Sequence, residues 1–172
     1  MNPISKQGPR ANAGAAPSVQ DRPLVRELLK LIDHSLWANS QWVERVYSQP
    51  EPEPRPRQLL AHLMLSERVW FERIQGQRTI TTTFELMEKE DLRRGLAQNA
   101  ETCRRLIATR LEDDIHFRRA TGEEYHARVL DILHHLVTHG YHHRGQLAAH
   151  YARLGMKYPN TDHINFLIEN KL

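Results

Sequence analysis

Apolar residues recur at helical spacing in four long stretches of the chain. Val25, Leu29, Ile32, Leu36 and Val43 mark the first. It is expected to begin near Asp21, a good N-cap, with Pro23 in its first turn, and to reach about Tyr47. The prolines at 50, 52, 54 and 56 then forbid helix, because each removes a donor and restricts its predecessor. A second helix is predicted from about Pro56 to Gln75, with Leu59, Leu63, Ser66 and Trp70 on one face and Gly76 placed to end it. A third opens on a capping-box pattern, Thr82 with Glu85 three residues later, and continues through Leu92, Leu96, Cys103 and Ile107 to about Leu111.

The period then changes. Ile115 and Phe117 alternate with polar residues, Thr121-Gly122 reads as a turn, and Tyr125 resumes the alternation, so a short hairpin or irregular loop is expected between Asp113 and Ala127. The fourth helix spans roughly Arg128 to Leu154, with Ile132, Leu136, Leu147, Tyr151 and Leu154 as its inward stripe, Gly155 as its C′ residue and Pro159 barring continuation. A short last helix is expected between Thr161 and Asn170. These elements make an all-α fold: a four-helix bundle with a hairpin or irregular insertion before the last long helix. The domain is drawn at 21–172, behind a disordered leader at 1–20 rich in Pro, Gly, Ala, Asn and Ser.

Composition narrows the function. The mix is globular, with 40% hydrophobic and 26% charged residues, and a net charge of +3 with no basic stripe argues against nucleic acid. No apolar run approaches the ~20 residues that cross a bilayer. A lone cysteine, Cys103, excludes an intramolecular disulfide and fits a reducing, cytoplasmic setting. On the core stripe of its helix it reads as an inert buried thiol.

The 11 histidines are the anomaly, seven of them between His134 and His163. Each helical residue turns ~100° and rises ~1.5 Å. His139 and His143 therefore share a face, on or beside the inward stripe, and can close on one ion. His135 and His143 are about 12 Å apart along the axis, too far to share it. His134 and His142 point outward; His150 lies on the stripe. A third ligand must come from another helix, and His62, close to the face of Leu59, Ser66 and Trp70, is the best candidate. His34 falls nearly opposite Val25, Leu29, Ile32 and Leu36 and is less suitable. The ordinary reading stands beside this one: a half-buried His is usually just hydrogen-bonded, and a His-x-x-x-His pair recurs by chance. Three converging neutral imidazoles, however, are easier to satisfy with a metal than without. Gln146 lies on the ligand side of its helix and can support a ligand; Arg144 does not, and is assigned a loop or chain-end contact. Glu67, displaced from the inward face, is a weak general-base candidate. Trp37, Trp42 and Trp70 read as packing anchors.

At these residues the chain resembles the DinB/YfiT-like family of metalloenzymes. The segment from His135 through His139-Gly140-Tyr141-His142-His143 to Arg144-Gly145-Gln146 is similar to the family's last-helix motif, in which two histidines four apart precede Arg-Gly-Gln. Leu59 to Trp70, with His62, resembles its second helix. Trp37-Ala38-Asn39 looks like its first-helix motif, and Thr161-Asp162 with Ile164 and Phe166 resembles its C-terminal segment. The resemblance covers about Leu24 to Leu167. It implies a four-helix bundle, frequently dimeric, with a three-histidine site that maps onto His62, His139 and His143. The ion is divalent, often nickel or zinc, with iron and manganese as further candidates. Characterised relatives include thiol-dependent S-transferases and isomerases. Three functions stay open: a metal-dependent transferase acting on a small-molecule substrate with a low-molecular-weight thiol, a non-catalytic metal-binding or stress-associated protein, and a metal-assisted hydrolase.

Overall fold

A computed structural model describes residues 22–49, 53–118 and 121–172. The expected leader at 1–20, the N-cap Asp21 and the middle of the proline stretch lie outside them. The elements run α1 (Pro23–Val46), α2 (Pro54–Ile74), α3 (Lys89–Thr109), β1 (Asp114–Arg118), β2 (Glu124–Arg128), α4 (Val129–Arg153) and α5 (His163–Asn170). Pro54 opens α2 two residues earlier than expected, because a first-turn proline surrenders an N–H that has no intrahelical acceptor. Gly76 and Gly155 follow α2 and α4 with φ of +68° and +65°, as their C-terminal positions require.

The third helix is where the structure departs from the pattern. It begins at Lys89, seven residues past the expected Thr82, after an irregular connection at 75–88. Thr82 does bond Glu85, but side chain to side chain in a bend. Five β-branched residues in a row, Thr79 to Thr83, disfavour helix there. The Glu72 carboxylate also pins the segment, accepting from Thr81 Oγ1 at 2.6 Å and from the Ile80 amide at 3.2 Å. Helix resumes where Glu90 and Asp91 can face its N-terminal dipole.

In cross-section α1 and α2 each pack on α3 and on α4, so α2 and α4 are neighbours. The core has two apolar clusters. One gathers Val25, Leu28, Ile32, Phe71, Ile107 and Leu133; the other gathers Trp42, Val43, Leu60, Met64, Leu92 and Leu147. Between them each long helix contributes polar groups: Ser35 and Asn39, Glu67, Asn99, and Arg144. Asn99 Nδ2 donates to Met64 O and to Glu67 Oε2, both at 2.8 Å, and Arg144 Nη1 donates to Asn39 Oδ1 at 2.9 Å. A cavity of about 20 Å³ lined by Ser35, Asn39, Glu67 and Cys103 sits in this layer, the size of one water.

The expected insertion is an antiparallel hairpin, with Ile115 opposite Ala127 and Phe117 opposite Tyr125. Its inner side buries Ile115 in the first cluster and sets Phe117 edge-on against Trp70, ring centroids 5.0 Å apart. Leu154, expected on the inward stripe of the fourth helix, is instead half exposed just beyond its end.

Candidate metal centre

His139 and His143 lie one turn apart on α4, and His62 reaches them from the neighbouring α2. One nitrogen from each of the three lies within 4.8 Å of the others, a group that could hold a metal ion. The ring centroids are 4.4 Å apart for His139–His143, 4.7 Å for His62–His143 and 5.2 Å for His62–His139. All three side chains are half-buried.

Hydrogen bonds fix which nitrogen His62 and His143 present. His62 Nδ1–H donates to the Thr83 carbonyl at 3.0 Å; a carbonyl can only accept, so Nε2 keeps its lone pair. His143 Nδ1–H donates to Gln146 Oε1 at 2.9 Å, again leaving Nε2 free to coordinate. The same Gln146 donates through Nε2 to His142 at 3.0 Å. His139 Nε2 then lies 3.0 Å from His143 Nε2. With the His139 proton on Nε2 this contact is a hydrogen bond; with the proton on Nδ1 two lone pairs face each other across the gap. Two metal–N bonds of about 2.0–2.1 Å separate their nitrogens by about 2.9 Å at an octahedral right angle and about 3.4 Å at the tetrahedral angle, so the pair can close on a single ion with a shift of a few tenths of an ångström.

Electrostatics keep the rings neutral, as ligation needs. Burial lowers the His139 pKa to about 4, helped by the neighbouring His143, His62, His135 and His142. Burial also lowers those of His62 and His143, with the Arg55 guanidinium acting in the same direction on both.

The irregular connection at 75–88 takes part in the site. Besides the Thr83 carbonyl it supplies Phe84, stacked on His62 with centroids 4.4 Å apart at 13°. The sequence carries no signal for either contact, which depends on how a loop returns across its preceding helix. Gln146 occupies the supporting position expected of it.

The other histidines separate clearly. His135 is exposed, packs against Trp70 at 5.4 Å and sits 5.6 Å from His139. His134 and His142 are exposed, and His150 Nε2 lies 3.1 Å from Glu53 Oε2, away from the three. His34 corrects the helical-wheel reading: it is fully buried. The face of α1 opposite the apolar stripe is covered by the segment entering α5, whose Thr161 carbonyl accepts from His34 Nε2 at 2.9 Å. The Tyr141 hydroxyl donates to Nδ1 at 3.2 Å, and Phe166 packs edge-on.

Arg144 also departs from its expected loop contact. It is 3% exposed and turned into the bundle toward Asn39. Gly140 leaves the room, since a Cβ there would come within 2.8 Å of Arg144 Nη1. Glu67, the weak base candidate, serves the polar layer instead of the site; burial raises its pKa to about 7 against the pull of Asn99 and Arg144. Cys103 is buried, and desolvation raises its pKa as expected of an unreactive thiol. Trp42 is a buried anchor, while Trp37 and Trp70 are partly covered. Among the described residues no helix is long and apolar enough to cross a membrane.

The family model for the DinB family matches residues 25–171. No curated protein matches the chain.

Proposed function

The chain belongs to the DinB family, and from that premise we propose that it is a divalent-metal protein whose ion is held by His62, His139 and His143 and whose reaction is transfer to or from a low-molecular-weight thiol. The observation that carries the metal reading is the convergence of three imidazoles, one nitrogen from each within 4.8 Å of the others, two of which spend Nδ1 on a fixed acceptor. Such outer contacts orient ligands in metal sites generally. Three imidazoles suit zinc or nickel, with iron(II) and manganese behind them, and leave coordination positions open for a small molecule. The ion's contribution would be Lewis acidity, which lowers the pKa of a thiol or water placed on it.

The protein's own groups supply position and charge. Phe84 covers one face of His62, and Arg55 places a positive charge near His62 and His143 where an anionic substrate group would be steadied. The largest charge effects on the three ligands come from one another, His135, His142 and Arg55. That set favours chemistry in which the ion itself acidifies the nucleophile. It equally suits a non-catalytic metal-binding protein, the second reading.

The test is turnover of metal-loaded protein with a panel of small thiols and electrophilic acceptors. Thiol conjugation that requires the metal and disappears in His139→Ala is expected. Metal binding without thiol binding or turnover would leave the non-catalytic reading in possession.

A further inference from the structure

The outer side of the β-hairpin carries a second pair of imidazoles. Strand alternation places residues 114, 116 and 118 of β1 and 124, 126 and 128 of β2 on one face. All six are exposed, while Ile115 and Phe117 on the other face pack on the bundle. The register sets His116 directly opposite His126, and their ring centroids are 4.7 Å apart. That spacing falls inside the 4.4–5.2 Å range of the three-histidine group.

From this geometry we propose that His116 and His126 form a second, weaker site for a divalent transition-metal ion. A carboxylate flanks each ring. Glu124 Oε2 lies 3.4 Å from His116 Nε2, and Asp114 Oδ2 lies 3.6 Å from His126 Nδ1. Each imidazole thus has one nitrogen within ion-pair reach of a carboxylate and a second nitrogen that the carboxylate does not occupy. Arg118 pairs with Glu124, which holds that carboxylate beside His116. The pair cannot splay freely, because Ile115 and Phe117 tie its strand to the bundle. Two imidazoles completed by water select zinc, nickel or copper(II) over magnesium or calcium, whose ligands are oxygens. Two protein ligands in solvent hold an ion less tightly than three half-buried ones. The site does not depend on the family assignment or on the reaction proposed above.

The experiment is a zinc(II) titration of the tag-free full chain, stripped of metal, by isothermal calorimetry with elemental analysis of the saturated protein. Wild type should take up two ions in a tighter and a weaker class. The double variant His116→Ala with His126→Ala, altered only at exposed positions, should bind one ion with the tighter class unchanged. His139→Ala should keep the weaker class. As a second readout, nickel(II) added to the His139→Ala protein should broaden the amide resonances of residues 114–118 and 124–128, and that broadening should vanish when His116 and His126 are also replaced. A hairpin variant that binds as many ions as wild type, or nickel broadening at 114–118 and 124–128 that persists without His116 and His126, would overturn the proposal.

Discussion

His34 and His143 both sit on long helices and both have lowered pKa values, but they do different work. His34 is fully buried, and both of its nitrogens are engaged, one by the Thr161 carbonyl and the other by the Tyr141 hydroxyl. It staples the C-terminal segment to α1. His143 is less buried and has one nitrogen engaged, by Gln146, while the other faces His139 across 3.0 Å. Burial therefore does not distinguish a candidate ligand from a structural histidine; the nitrogen left over does. The same criterion puts His62 with His143: the Thr83 carbonyl takes its Nδ1, and Nε2 meets only the Ser66 hydroxyl at 3.4 Å, at the limit of a hydrogen bond.

The comparison breaks most sharply at the ligands. His139→Ala or His143→Ala should abolish binding at the three-histidine site, at least a hundredfold by calorimetry, while thermal stability of the metal-free protein changes little. His62→Ala should do nearly the same, because two imidazoles on one helix make a weak site. His34→Ala should show the reverse: a stability loss of about 2–4 kcal/mol in urea unfolding, from lost packing and a buried carbonyl left without its donor, with metal affinity retained. If His34→Ala also strips the ion, the division between the two groups fails.

Gln146→Ala sharpens the comparison at smaller scale. Losing the group that orients His143 should weaken metal binding by about 10–100-fold without changing stoichiometry. An affinity identical to wild type would show that the Gln146 contact does not position the ligand.

The smallest effects are in pH. The lowered histidine pKa values mean that the folded metal-free protein binds fewer protons than the unfolded chain below 6.5, so this contribution is lost as pH falls from 6.5 toward about 4, the His139 value. Glu67 runs the other way. Its pKa is raised from 4.5 to about 7, so the folded state holds a proton that the unfolded chain has released, and that contribution is lost as pH rises from 4.5 to 7. Glu67→Gln should flatten the second limb of a stability profile measured by thermal melting and leave the first. A profile unchanged in both limbs would place the Glu67 titration elsewhere.

Much of this was legible in the sequence, for identifiable reasons. The helices follow from the 3.6-residue period and the Pro and Gly residues at their ends, and the hairpin from the alternation of Ile115, Phe117 and Tyr125. The convergence of His62 on His139 and His143 follows from helical phase together with the axial distance that excludes His135. What stayed hidden depends on segments far apart in the chain. The wheel of α1 shows its own apolar stripe but not that Thr161 and Phe166 cover the opposite face, so the burial of His34 does not follow from it. The Thr82–Glu85 spacing matches a helix start, but in the fold the five β-branched residues from Thr79 to Thr83 and the Glu72 anchor prevail. The turn of Arg144 inward to Asn39 depends on the space above Gly140, which neither helix shows alone.

The connection between α2 and α3 has a kinetic consequence. It holds His62 through one carbonyl and one stacked ring, while its Ile80, Phe84 and Leu86 stand 79%, 60% and 52% exposed. Segments with so little burial open far more often than the helices that frame them. An ion at this site would have two ligands on a rigid helix and a third whose orientation lapses whenever the connection opens. Its residence time would then follow the opening rate of this fourteen-residue strap, a local motion that needs no global unfolding. Stiffening that strap would slow metal exchange with all three ligands left in place.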